Sequence, residues 1–332
     1  MPWRRMAWVT WRQHRFALAG IVAVFGAAAT YLMVTGLPMR AAYAAVAGCS
    51  PSSSDICRQA ATEFLSNYAP GVGYTLGLLQ AFPALVGAFA GAPLLAREFE
   101  TGTFRYAWTQ GFGRTRWTLG KLAPLAFMVT VVAIAFSGVV SWYLQPIVDA
   151  GDNNGPLYPT VFDLTGIALA AWTLTAFAIG LLAGTLVRRV VPAMFAALAL
   201  WAGLAFVTGA FLRPHYQAPV VTTNPNIPIG AWVINQGWFK DGNPASLDTI
   251  NRILTPVDVR AITPDLFQPG PSTPANLGDP VQYLIQHGLM LLTTYQPADR
   301  FWTFQWIESG WLLALSLVLF VVTVWLVRRR AA

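Results

Sequence analysis

The chain has 332 residues, of which 55% are hydrophobic and only 11% charged, with a formal net charge of +7 and a mean hydropathy of +0.51. Soluble domains carry about 25% charged residues, so a water-soluble globule is excluded and the charges must be confined to loops. The positive balance reads as topogenic and lipid-facing, not as a nucleic-acid surface.

Apolar runs of roughly 20 residues suffice to cross a bilayer. Six such runs occur, at about 16–36, 74–95, 122–144, 164–187, 190–212 and 309–327. None carries Asp, Glu, Lys, Arg or His well inside it, as expected where buried charge is costly. The predicted fold class is an all-α polytopic membrane protein with six transmembrane helices.

In chain order, residues 1–15 place Trp3, Met6, Ala7, Thr10 and Trp11 at helical spacing among arginines. That suits an amphipathic helix in the interface, or a simple aromatic anchor. Residues 16–212 then hold spans one to five. Val46-Ala47-Gly48-Cys49 resembles a lipoprotein cleavage site, but the preceding run exceeds a signal-peptide core, and Pro38 and Arg40 separate it from the cysteine. An uncleaved span is expected. The only two cysteines, Cys49 and Cys57, fall in one external Pro/Ser-rich loop, where a disulfide persists. A bond between them is expected, with two free thiols as the alternative.

Span two ends in Gly87-Ala88-Phe89-Ala90-Gly91, and span four carries Ala176, Gly180 and Gly184. Small residues at four-residue spacing let helices approach closely. Internal packing is expected, with a dimer seam as the alternative.

A dense polar segment follows span two: Arg97-Glu98-Phe99-Glu100-Thr101-Gly102-Thr103-Phe104-Arg105, running on to Arg114, Arg116 and Lys121. Arg188-Arg189 make a tight turn between spans four and five, and Pro192 opens the next helix, where its missing N–H is harmless. The external segment, 213–305, is rich in Pro, Asn, Trp and Gly. Its stretch around Pro225 to Pro244 reads as irregular loop, and Ser246 to Ile262 and Asp279 to Tyr295 read as helical. Trp302 and Trp306 suit the membrane interface before span six and a basic tail, 306–332.

Placing the termini, the 97–121 segment and the 188–189 turn on one side gathers 14 of the 21 basic residues there, with only Glu98 and Glu100 as acids. The positive-inside rule makes that side cytoplasmic. Glu98 and Glu100 are thus acids on an otherwise basic face, and with Gly102 and the neighbouring aromatics they read as a docking surface. The plainer alternative is a solvated loop whose arginines only set topology.

Catalytic motifs are not apparent. Gly120-Lys121 lacks the rest of a phosphate-binding loop, since Thr115 stands where glycine is needed and Leu122 where Ser or Thr is needed. His14, His215 and His287 have no metal-ligand spacing, and no Gly-x-Ser-x-Gly elbow occurs. No chain of ionisable residues runs through the spans, which weighs against an ion-coupled carrier, and no convincing cluster of them stands at one membrane face, as a membrane-embedded enzyme would need.

Glu100-Thr101-Gly102-Thr103, followed by Arg114 and Gly120-Lys121, resembles the coupling segment of ABC-2-type transporter permeases. Trp11-Arg12-Gln13-His14-Arg15, the 97–103 run and Trp108-Thr109-Gln110 resemble an actinobacterial subgroup. Many members have Thr-Pro where Thr109-Gln110 stand here, and a shorter external segment. The resemblance implies a multi-pass permease of a bacterial plasma membrane, paired with a second copy of itself or a sister permease over separate ABC ATPase subunits. ATP and Mg would bind only in the partner, and this chain would bind no cofactor. It further implies that Glu98, Phe99, Glu100, Thr101, Gly102, Thr103, Phe104 and Arg105 meet the ATPase, with Phe99, Phe104 and Tyr106 as apolar anchors. Arg114, Arg116 and Lys121 would hold the lipid head groups. Spans without charge suit export of an amphipathic or apolar compound, such as an antibiotic, peptide or lipid. A membrane sensor or immunity component using segment 213–305 is the alternative.

Overall fold

The computed structural model describes residues 3–49, 55–102, 114–151, 155–254 and 280–330. Among these, six helical stretches are long and apolar enough to cross a membrane: Ala19–Ala47, Ile56–Thr101, Thr118–Asp149, Ala168–Val187, Val190–His215 and Ala298–Arg329.

Helix α1 (Trp3–Ala47) is continuous, so residues 3–15 extend span one without a break. The helix also outruns its apolar core, which brings Arg40 beside the third span, α5 (Arg114–Asp149). There Pro146 lacks the N–H that would bond the Trp142 carbonyl. Arg40 Nη2 takes over that carbonyl at 2.7 Å, donates to Gln145 Oε1 at 2.8 Å, and its guanidinium lies 4.6 Å from the Trp142 ring centre.

Helix α2 (Asp55–Leu79) runs back, and a Cys49–Cys57 disulfide ties the two helix ends. Closing so short a loop contributes about 2–3 kcal/mol. Because the chain has only these two cysteines, denatured protein treated with maleimide is expected to stay unlabelled until reductant is added. Labelling without reductant would show the thiols to be free.

The second span is broken. Pro83 deprives the Leu79 carbonyl of its partner, the chain turns at Gln80-Ala81, and α3 (Phe82–Val86), one π-helical turn (Gly87–Gly91) and α4 (Ala92–Thr101) complete it. Helix α6 (Pro159–Phe162) is a single turn that leads into the fourth span, α7 (Ala168–Val187).

α7 is the centre of the bundle, buried along most of its length. Its small residues meet those of span two at backbone distance. A Cβ on Gly180 would lie 2.1 Å from the Gly87 carbonyl oxygen, one on Gly184 2.3 Å from that of Ala92, and one on Gly87 2.5 Å from that of Ala176. The small-residue faces are therefore an internal seam, with the helices held by close van der Waals contact. The fifth span, α8 (Val190–Val207), lies on the outside, with Phe195, Leu200 and Phe206 exposed.

Helix α11 (Phe301–Arg330) packs on α7 through a polar stripe. Gln305 Oε1 accepts the Ile167 and Ala168 N–H groups at 3.0 and 2.8 Å, and its Nε2 donates to the Phe162 and Thr165 carbonyls. α7 has no capping side chain of its own, so Gln305 satisfies N–H groups that a helix start leaves open. Further along, Thr175 and Ser316 hydroxyls meet at 2.9 Å.

The segment between spans five and six contains a four-stranded antiparallel sheet, ordered β1 (Val220–Thr222), β4 (Leu289–Gln296), β2 (Trp232–Lys240), β3 (Asn243–Pro244). Two sequence expectations differ here. The stretch expected to be irregular holds β2, whose Trp, Val, Ile and Phe suit a half-buried pleat. The stretch expected to be helical from 279 to 295 stops early: α10 (Pro280–Gln286) ends at Gly288, φ +79, and the chain continues as β4. The preceding helix α9 (Leu247–Leu254) lies within the predicted helical stretch. Gln296 is fully buried and pins the sheet to the end of span five, donating to the Pro214 and Gln217 carbonyls at 3.1 and 2.8 Å.

Candidate functional site

At the basic end, α4 closes on a Gly102 with φ +70, the left-handed turn that only glycine adopts freely. Its last two turns divide by face. Arg97, Glu100 and Thr101 are exposed at helical spacing, while Glu98 and Phe99 turn inward.

Glu98 Oε1 accepts from Lys121 Nζ on α5. The two side chains keep 17% and 7% of their exposure, so solvent screens this pair far less than a surface ion pair. Glu98 Oε2 has no hydrogen-bond partner among the described residues. Phe99 packs against the core, and the Arg188 guanidinium lies 5.9 Å from its ring centre. Arg188 itself adopts φ +57 to end α7. Glu100 Oε2 accepts the Val190 N–H at 3.1 Å, placing a carboxylate at the first turn of α8, where the helix dipole favours it. Thr101 Oγ1 bonds back to the Arg97 carbonyl.

The end of span two is thus joined to span three through Lys121, to the four–five turn through Arg188, and to the start of span five through Val190. Of the residues expected to dock a partner, Glu100 and Thr101 face outward, and Glu98 and Phe99 are spent on internal contacts. Lys121 is buried against Glu98 and does not face lipid head groups. Thr103, Phe104, Arg105 and Tyr106 lie outside the described residues, as do the side chains of Arg114 and Arg116.

A second charged cluster lies at the opposite end of the bundle, and sequence reasoning missed it. Arg213 is 1% exposed and Glu308 is fully buried. Arg213 donates to Glu308 through Nε at 2.8 Å and Nη2 at 2.6 Å, and Nη2 also meets Asp163 Oδ1. Its guanidinium stacks 4.5 Å from the Phe162 ring centre. Glu308 further accepts from Trp172 Nε1 at 2.8 Å and from the Tyr216 hydroxyl at 3.1 Å, and Trp311 Nε1 donates to that hydroxyl. Gln80, at the break in span two, reaches Asp163 Oδ2 at 3.5 Å. Side chains from five elements, namely α6, α7, α11, the end of span five and the break in span two, therefore meet in this one cluster.

Two carboxylates share this one cation. Burial raises the Asp163 carboxyl to about 6, against the pull of Arg213, and the 28% of its side chain left open lets water oppose the rise as well. The Tyr216 phenol is also raised, first by burial and then by Glu308. The expectation that no ionisable cluster exists at a membrane face is corrected here. The signal was present in sequence: Asp163 directly precedes the fourth apolar run, Arg213 directly follows the fifth, and Glu308 directly precedes the sixth. Those are three of the six span ends that an alternating topology places on one side.

No group of three or more His, Cys, Asp and Glu residues able to hold a metal ion occurs among the described residues. Searches of curated proteins and of solved structures give no match. A family described as ABC-2 membrane transporter related matches residues 21–213, from span one to the buried arginine. With six spans around a close-packed fourth helix, the chain belongs to the ABC-2 membrane transporter related family.

Proposed function

We propose that the protein is the permease subunit of an ATP-driven exporter, and that a separate ABC ATPase docks at the end of span two. The observation that carries this reading is the junction of α4 with α5 and α8. A partner pressing on the exposed Arg97–Glu100–Thr101 face would move spans three and five together, through Lys121 and Val190. ATP and Mg belong to the partner in this reading, and the basic face is cytoplasmic. The cargo is an amphipathic or apolar compound, in keeping with the apolar spans. A paired permease, a second copy or a sister chain, would complete the path.

The chain purified from its native membrane in mild detergent is expected to carry an ATPase subunit in about equal amount. Glu100→Lys is expected to reduce ATPase retention about tenfold, the equivalent of 1.4 kcal/mol, with membrane insertion unchanged. Glu100→Gln keeps the acceptor for the Val190 N–H and separates loss of charge from loss of the cap. Wild-type retention and transport in Glu100→Lys would refute docking at this face.

The folded sheet between spans five and six favours a second reading, in which it binds a ligand and the ATPase drives signalling. Cargo accumulation in proteoliposomes containing both subunits separates the two.

A further inference from the structure

Near the basic end, α5 and α11 stand apart and leave a groove of about 430 Å³. Leu119, Ala123 and Ala126 form one wall, and Leu317, Val321 and Trp325 the other. The short alanine side chains leave the space. Phe320 and Val324 make its floor by packing on the core. Leu317, Val321 and Trp325 are exposed, so the groove opens to the membrane.

Its length and its charge both limit what fits. Leu317 and Arg328 are eleven positions apart, about 16 Å along a helix rising 1.5 Å per residue. That is about half of a hydrocarbon core of roughly 30 Å, the depth of one leaflet. The groove ends at Arg328, and the next guanidinium, Arg329, lies 4.7 Å from the Trp325 ring centre. In a two-fold pairing through this face the same cationic patch would meet itself, whereas an anion at this end is attracted.

We propose that the α5–α11 groove holds one acyl chain of an anionic phospholipid from the leaflet at the arginine end, with Arg328 and Arg329 meeting its head group. The binding is built into the permease and needs neither cargo nor ATPase.

The test uses the full chain, delipidated in detergent, with phosphatidylglycerol or phosphatidylcholine of identical acyl chains added at equal concentration, and native mass spectrometry as the readout. Phosphatidylglycerol adducts are expected to exceed phosphatidylcholine adducts about tenfold. Arg328→Gln with Arg329→Gln is expected to bring the two lipids to parity. Val321→Trp fills the groove from an exposed position and keeps both arginines; it is expected to lower phosphatidylglycerol binding at least fivefold, with unchanged thermal unfolding. Ala126→Phe fills the groove from the other wall. Equal binding of the two lipids by the wild-type chain would overturn the proposal, as would undiminished phosphatidylglycerol binding in both groove-filled variants. A dimer that disappears in those variants would instead assign the groove to a second copy.

Discussion

Gly180→Val is expected to leave little folded protein. The new Cβ would sit 2.1 Å from the Gly87 carbonyl oxygen and 2.8 Å from the Ala92 nitrogen. Both are backbone atoms, so no side-chain rotation relieves the overlap and α7 must move away from span two. That movement would also loosen the neighbouring contacts of Gly184 with Ala92 and of Gly91 with Phe177. Overpacking a well-filled core costs typically 1–3 kcal/mol. A clash with backbone on the central helix belongs at or above the top of that range, against total stabilities of about 5–15 kcal/mol. Thermal unfolding in detergent, followed by tryptophan fluorescence, gives the measurement. Gly203→Ala is the control, since a Cβ there meets nothing within 4 Å, and it is expected to leave stability unchanged or raise it by up to about 1 kcal/mol, the helix preference of Ala over Gly. A Gly180→Val chain that unfolds with the wild type would rule out close packing of these helices.

Arg213→Met is expected to be the most damaging change at the other end. It leaves Glu308, fully buried, and Asp163 without their shared cation. Breaking a buried pair in this way costs about 3–5 kcal/mol. The same principle predicts a recovery. Replacing all three groups, as Arg213→Met, Glu308→Leu and Asp163→Asn, removes the uncompensated charge, and an apolar replacement of a buried ion pair is often near neutral. The triple variant should therefore be more stable than Arg213→Met alone, a non-additivity expected for groups in one network. Hydrogen exchange in β1 and β4 gives a second readout, because Gln296 ties that sheet to the Arg213 end of span five. A loss under about 1 kcal/mol in Arg213→Met would mean that the cluster contributes little.

Hydropathy alone located all six spans, because the hydrocarbon core admits few alternatives to an apolar helix. It placed their ends less well. Span one reaches Ala47 and span three Asp149, since Arg40 and the carbonyl orphaned by Pro146 supply each other's polar contacts beyond the apolar run. The small-residue faces were legible as contacts, and the structure supplies their partners. The sheet was not legible. β2 and β4 are brought together by a connection of some fifty residues, and pairing at that distance leaves no local period to read. At the basic end, sequence identified Glu98, Phe99 and Glu100 as a group, but only the helix register separates the two inward residues from the outward one. At the other end, Asp163, Arg213 and Glu308 each lie one residue outside an apolar run. Reading span ends one at a time hides a cluster assembled from three of them.

Gln305 and Glu308 have a further consequence, for the order in which the bundle can be built. Chains leave the ribosome N-terminus first, so spans four and five enter the membrane before the sixth exists. Until then the start of α7 lacks its acceptor and Arg213 lacks the carboxylate that grips two of its nitrogens. The sixth span brings both groups one helical turn apart on a single face. Its arrival closes the half of the bundle that earlier insertion must leave open.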